Sequence, residues 1–361
     1  MKMVLYPYDV LMFRDFRSFT AGEDVIAKSI LPMPHTLAGA IRTKLYLDYG
    51  KEVYELIGYK RTEPNFMIYG TFLSINGDEI FAFPADIVES KDTENSKSKL
   101  FYVYPHKLYD SEEYLFFAGR YIHYEPVYDY FLTKEGLIKY LLGELSENDL
   151  ESKEEAEKYI IPSNKVYRKE ERVGIALDEN KVTKYGFFYI SQFLRFEESV
   201  GISIWLDDRV KNYLSRTGFL KIGGEGRLAR YQLFDVSAKD VIAVDVNELL
   251  AKIEKKKKLK IYLATPLVIP DSENTTEYLQ KSLEKALYTK IKNIYPLVDK
   301  LLPVGGWDLA RNKPKEVAYS LSSGSIIFVE FDGSINISEF FFKMGNLQKL
   351  GYGLCFIGVW R

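Results

Sequence analysis

Residues 200–234 read VGISIWLDDRVKNYLSRTGFLKIGGEGRLARYQLF. The run VGISIWL at 200–206 is apolar, rich in β-branched residues and of strand length. Asp207 and Asp208 then stand where a helix start favours acids, predicting a short helix over 208–216. A strand over 218–222 follows, then Gly223-Gly224-Glu225-Gly226-Arg227, then the alternating LARYQLF. The stretch therefore predicts strand, helix, strand, tight glycine-rich connection, strand.

Residues 3–13 alternate loosely as a first strand, and Arg14 opens a polar loop running to Lys28. Residues 29–46, SILPMPHTLAGAIRTKLY, predict a helix: Pro32 and Pro34 hold the approach extended, His35 and Thr36 sit at the expected cap, and Leu37, Ala38, Ile41 and Leu45 form one stripe. Gly39 leaves the helix surface bare, and Arg42 and Lys44 add charge. Residues 66–75 and 79–83 flank Asn76-Gly77, a preferred hairpin turn. Residues 86–99 read as a mobile surface loop and the acidic 144–158 as a second soft region. Between them Tyr102, Tyr104, Tyr109, Tyr114, Tyr121, Tyr124, Tyr128 and Tyr130 read as an insertion, either an interaction surface or a satellite core. Arg168, Lys169 and Arg172 precede a turn at Asp178, Glu179 and Asn180 and a strand over 186–196, a basic hairpin whose second strand is expected to pair with 200–206.

A similar order recurs after the basic hinge Lys255–Lys258: strand 259–264, helix 275–294 with Leu279, Leu283, Leu287 and Ile291 on one face, strands near 316–320 and 325–331, a short helix near 336–344, and LCFIGVW beyond Gly345, Gly351 and Gly353. The expected fold class is α+β, as two ferredoxin-like (RRM-like, βαββαβ) modules with a large insertion in the first. The expected domains are 1–250, with the insertion at about 50–182, and 251–361.

With 47% hydrophobic and 28% charged residues, the 361-residue chain reads as globular. Net charge of -2 carries no global basic signature, so nucleic-acid binding has to use local patches. A single cysteine, Cys355, excludes an internal disulfide framework and a Cys-based zinc cluster. Neither a signal-like nor a bilayer-spanning apolar run is present, which predicts a cytoplasmic protein. High Lys, Glu, Ile and Tyr also suit a thermophile.

The glycine cluster lacks the following helix that a dinucleotide fingerprint needs, and no P-loop pattern occurs. It is either a plain tight turn or a bare loop lying against a polynucleotide beside Arg227 and Arg230. PVGGWDLARNKPK at 303–315 joins Trp307 to Arg311, Lys313 and Lys315, either a solvated loop or a nucleic-acid contact. His35, His106 and His123 are not at metal-ligand spacing, and acid pairs such as Glu197-Glu198 point to opposite faces of a strand. No cofactor and no metal are expected. A helix N-terminus disfavours protonated His35, making it a conceivable general base.

LPMPHTLAGAIRT at 31–43, ERVGIALDENKVTKYGFFYISQFLRF at 171–196, IGGEGRLARY at 222–231 and the terminal GNLQKLGYGLCFIGVW together resemble the RAMP superfamily of CRISPR proteins, most closely the third-subunit family of the Cmr (type III-B) effector complex. The resemblance spans nearly the whole chain and implies two ferredoxin-like modules. It implies a protein without catalytic residues that caps the 5′ repeat-derived tag of a CRISPR RNA and docks the large signalling subunit and the backbone subunit, in defence against foreign nucleic acid. By the same resemblance His35, Thr36, Gly39 and Arg42 lie against tag phosphates, Arg168, Lys169 and Arg172 belong to a thumb-like hairpin over the RNA, and Gly223, Gly224, Gly226 and Arg227 form a glycine loop beside it. Arg311 joins the RNA-binding set from its own basic loop. The alternative is a RAMP-type endoribonuclease that processes CRISPR RNA with His35 as acid or base; a protein-only interaction module is a third class.

Overall fold

The computed structural model describes residues 1–14, 26–90, 99–108, 113–118, 123–151, 153–271 and 274–361. The core of the expected polar loop at 14–28, the centre of the expected loop at 86–99, Tyr109 and Tyr121 lie outside the described residues. The chain is mixed α+β with predominantly antiparallel strands, and it divides into two compact units, 1–77 with 163–236 and 305–316, and 78–162 with 237–304 and 317–361.

In the first unit, β1 (Lys2–Pro7), β2 (Ile68–Ile75), β3 (Val200–Leu206), β4 (Thr217–Lys221) and β5 (Leu228–Phe234) lie in the order β2-β3-β1-β5-β4. β1 is antiparallel to both neighbours, with Leu5 opposite Ile202 on one edge and Tyr231 on the other. Every residue of β3 is buried, as its unbroken apolar run requires of a strand covered on both faces. That strand pairs with β2 and β1 rather than with 186–196, correcting the expected mate. The hairpin instead pairs Tyr167–Leu177 with Thr183–Phe196, closed by Asp178, whose Oδ1 accepts from the N–H of Asn180 and of Val182 at 2.9 Å. Helix α1 (Pro34–Tyr49) buries the expected stripe of Leu37, Ala38, Ile41 and Leu45. The helix expected over 208–216 is a 3-10 turn, Asp208–Tyr213, with only Val210 buried along it, although Asp207 caps its start by accepting from Arg209 N–H at 3.0 Å. Asn76 and Gly77 take φ of 52° and 88°, the left-handed pair that a two-residue turn demands.

The second unit repeats the strand order. β6 (Lys258–Leu263), β7 (Lys290–Leu297), β8 (Ile326–Asp332), β9 (Phe341–Lys343) and β10 (Leu354–Val359) lie as β7-β8-β6-β10-β9. In both units the first strand is central, between the third and the fifth, and the fourth lies at the edge, antiparallel to the fifth. Helix α2 (Thr275–Leu287) is capped by Asn274 and stops at Tyr288, whose φ is 53°. Ile291, expected on that helix, is a buried residue of β7, because the β-branched and aromatic run there pairs with β8. No helix forms near 336–344; Phe341–Lys343 pairs with β10. The basic hinge is the end of a helix, Val246–Lys256, entering β6 through left-handed Lys257. The strand expected near 316–320 is Ala318–Leu321, in a separate three-stranded sheet. The soft acidic segment carries short helices, Glu147–Glu151 and Lys153–Tyr159. Part of the tyrosine-rich region does form a satellite core: Val88, Phe101 and Val103 with Phe116, Tyr124 and Leu297 against them.

A buried ion pair sits in this second unit. Lys260 is 2% exposed and Asp86 0%, with Lys260 Nζ 3.0 Å from Asp86 Oδ2. Tyr140 Oη donates to Asp86 Oδ1 at 2.6 Å, and the ammonium lies 3.4 Å from the Tyr140 ring centroid. Burial pulls Lys260 down to about 8, with Asp86 opposing. Asp86→Ala strands a buried cation and is expected to cost about 3–5 kcal/mol in urea unfolding. Adding Lys260→Met is expected to recover most of that loss; no recovery would show that packing, not charge, sets the cost.

Candidate nucleic-acid interface

All twelve sequence-selected residues lie in the first unit. At the start of α1 the N-cap is Met33, in an extended conformation and with no side-chain cap bond, and Pro34 takes the first helical position. His35 and Thr36 are thus inside the helix, not at its cap, because proline favours the first turn and forces its predecessor extended. Gly39 has nothing within 4 Å of where a Cβ would stand, so its helix face is open. Arg42 donates to the carbonyls of Gly58 and Arg61 at 2.9 Å and of Thr62 at 3.2 Å. Arg311 fastens the same loop, donating from Nε to Lys60 O at 2.9 Å and from a terminal nitrogen to the same oxygen.

Four cationic or potentially cationic groups meet here around one acid. Asp308 Oδ2 is 3.8 Å from Arg311 Nε, and Lys315 N–H donates to Gly306 O at 2.8 Å. Burial lowers Lys315, with Arg42 adding to the effect and Asp308 opposing it. Burial, then Lys315, drives His35 down to about 4, so its imidazole is neutral near pH 7. It can exchange a hydrogen bond with a phosphate but brings no charge. Lys315 was readable as part of a basic loop. Its field on His35, across the sequence, was not.

On the hairpin, residue alternation puts Arg168, Glu170 and Arg172 on one face, opposite Arg195, Phe193 and Ser191, and Lys169 on the other, opposite Leu194. Arg168 Nε is 3.2 Å from Glu197, and Lys169 is exposed. Arg172 Nε donates to Glu170 at 2.8 Å. Toward the tip Val173, Ile175, Leu177 and Val182 are exposed. Arg195, missed in the sequence, donates from Nε to Glu170 Oε2 at 2.6 Å. The Leu194-Arg195-Phe196 context reads as plain strand, so only the cross-strand register reveals it.

The glycine cluster is a tight turn between β4 and β5. Gly223 has φ 72° and ψ -162°, and a Cβ there would meet Met12 O at 2.5 Å; Gly224 N–H donates to that same oxygen at 2.8 Å. Gly226 also has positive φ, 63°, but faces open space. Gly223 is thus needed for packing on residues 12–13, Gly224 has room for a Cβ and ties the turn to Met12 through its N–H, and Gly226 presents bare backbone outward. Arg227 pairs with Glu225 at 3.0 Å, and the Arg227 and Arg172 guanidiniums each lie 5.1 Å from the Phe193 ring centroid. Among the described residues no group of three or more His, Cys, Asp or Glu is placed to hold a metal ion, and no helix is long and apolar enough to cross a membrane.

A sequence model of the CRISPR-associated protein family Cas_Cmr3 matches residues 3–360. The chain is 23% identical over 369 residues to the CRISPR system CMR subunit Cmr3 of Saccharolobus solfataricus, covering 97% of this chain and 94% of that one. In fold it is similar to a chain of the cryo-EM structure of the Type III-B Cmr-beta bound to cognate target RNA, with TM-score 0.52 and 18% identity over 91% of this chain and 86% of that chain. A second such structure, bound to cognate target RNA and AMPPnP, gives TM-score 0.52 and 19% identity over the same shares.

Gly226→Ala is expected to cost about 1–2 kcal/mol from the left-handed backbone alone. Gly223→Ala should cost more, since its backbone region belongs to glycine and Met12 O blocks the methyl; equal urea midpoints for the two variants would contradict this packing. For His35 the folded-state value lies below the ordinary 6.5, so its contribution to stability is complete above pH 6.5 and is lost as pH falls toward 4. A His35→Gln variant should show a shallower loss of thermal stability over that window than the native chain.

Proposed function

Since this chain belongs to the Cas_Cmr3 family of CRISPR-associated proteins, we propose that it is the RNA-binding, non-catalytic subunit at the 5′ end of a type III-B CRISPR (Cmr) effector complex. In this reading it caps the repeat-derived tag of the CRISPR RNA and docks the large signalling subunit and the backbone subunit. The strand order found in each unit is read as a ferredoxin-like module, one within 1–250 and one within 251–361.

The observation that carries the RNA reading is that the α1 start, the basic hairpin, the glycine turn and the 305–316 loop, dispersed along the sequence, all belong to one unit. The cations selected in it are Arg42, Arg168, Lys169, Arg172, Arg227 and Arg311, beside the open backbone at Gly39 and Gly226 and the neutral hydrogen-bonding groups of His35 and Thr36. Gly223 and Gly224 hold the turn in place. Such a set suits phosphate contacts, which position an RNA without reading its sequence.

Two measurements test this. Affinity for a tagged CRISPR RNA should fall linearly on a log–log plot against salt, with a slope of about -0.7 per phosphate contact for a single strand; a flat response would remove the phosphate reading. Replacing His35 by Ala should weaken binding and leave the length of the RNA unchanged. Disappearance of a cleavage product in that variant would instead favour an endoribonuclease.

A further inference from the structure

Three arginines from separate segments converge on the Asp9 carboxylate, which lies on the bend just after β1. Arg227 is 3.3 Å from Asp9 Oδ2, Arg195 3.3 Å from Oδ1, and Arg172 3.6 Å from Oδ2. Two other acids set the direction of these side chains: Glu170 bridges Arg172 and Arg195, and Glu225 holds Arg227. Phe193 floors the group.

We infer that Arg172, Arg195 and Arg227 form a seat for a single RNA phosphodiester, and that Asp9 is the resident counter-ion which the phosphate displaces. The inference rests on the RNA-binding reading above and deepens it. Three guanidiniums face three carboxylates, so the cluster is balanced as it stands. Exchanging one carboxylate for one phosphodiester, each with a single negative charge, preserves that balance; a doubly charged phosphate monoester would upset it. Glu170 and Glu225 are placed to orient arginines and need not move. Asp9 is the partner shared by all three and sits on an irregular segment, with its side chain 45% exposed. A turn of its side chain clears the seat, where planar guanidinium forks match phosphate oxygens in the same way they match the carboxylate. Arg227 Nε is buried without a hydrogen-bond partner, leaving one donor of the cluster unspent. The bland counterpart is a clasp in which Asp9 ties the hairpin to the end of β1 and does nothing else.

The full chain decides between them with a short mixed-sequence single-stranded RNA, at fixed salt. Asp9→Asn should tighten binding by roughly fivefold, the size of removing one partly exposed competing ion pair. Arg195→Met should weaken it, and by a larger factor in the Asp9→Asn background than in the native chain, because the two then no longer compete at one site. In the native chain the Arg195 and Arg227 Nε–H resonances should shift together on titration with the RNA; this reading holds even where Asp9→Asn melts early. Unchanged or weaker binding by a well-folded Asp9→Asn, or resonances that stay in place while the RNA binds, overturns the exchange and leaves the clasp. A native chain that fails to bind RNA at any salt sinks the RNA reading itself.

Discussion

Backbone pairing along both edges of Lys2–Pro7 is the constraint on which the first unit depends. A strand buried at the centre of a sheet must find partners for every N–H and C=O, and this one finds them in Val200–Leu206 and Leu228–Phe234, about two hundred residues downstream. The segment that continues it carries the site. Leu11 exchanges backbone bonds with Leu194 at 2.8 and 2.9 Å, Met12 O receives Gly224 N–H, and Phe13 O receives Ile30 N–H on the approach to α1. Hairpin, glycine turn and the approach to the helix are thereby hung from the segment that follows this strand, and Asp9 lies where the chain leaves the sheet.

The second unit solves the same topological problem with different chemistry. Its central strand carries Lys260 into a fully buried setting, where Asp86 and the faces of Tyr140 and Tyr102 replace water. Of the tyrosines that read as an insertion, Tyr102 is thus core and not surface, its Oη donating to Leu145 O at 2.8 Å, whereas Tyr128 is exposed; Tyr140 is buried beside Tyr102.

Most of the basic residues picked out in the first unit are not loose charges. Arg42 and Arg311 hold backbone carbonyls; Arg172 and Arg227 face acids. This agrees with a net charge of -2, and under the RNA-binding function proposed above it makes recognition an exchange of partners on preoriented side chains as well as an addition of charge. Side chains already held by internal anions lose little freedom when an external one replaces them.

The amino-acid sequence by itself determined the features that act within a few residues. The helix stripe at Leu37, Ala38, Ile41 and Leu45, the Asn76-Gly77 turn, the hairpin closed at Asp178, and the glycine cluster followed by an alternating strand are all where their periodicity and backbone preferences put them. Where local signals were ambiguous they misled: Ile291 continues the spacing of Leu279, Leu283 and Leu287, yet its β-branched neighbourhood found an open strand edge. Only the tertiary structure decided which strand pairs with 200–206, that Lys315 reaches His35, and that Arg195 joins Arg172 and Arg227 at Asp9. Those outcomes depend on sheet edges and counter-ions supplied from well beyond the span over which a repeat of two or 3.6 residues carries information.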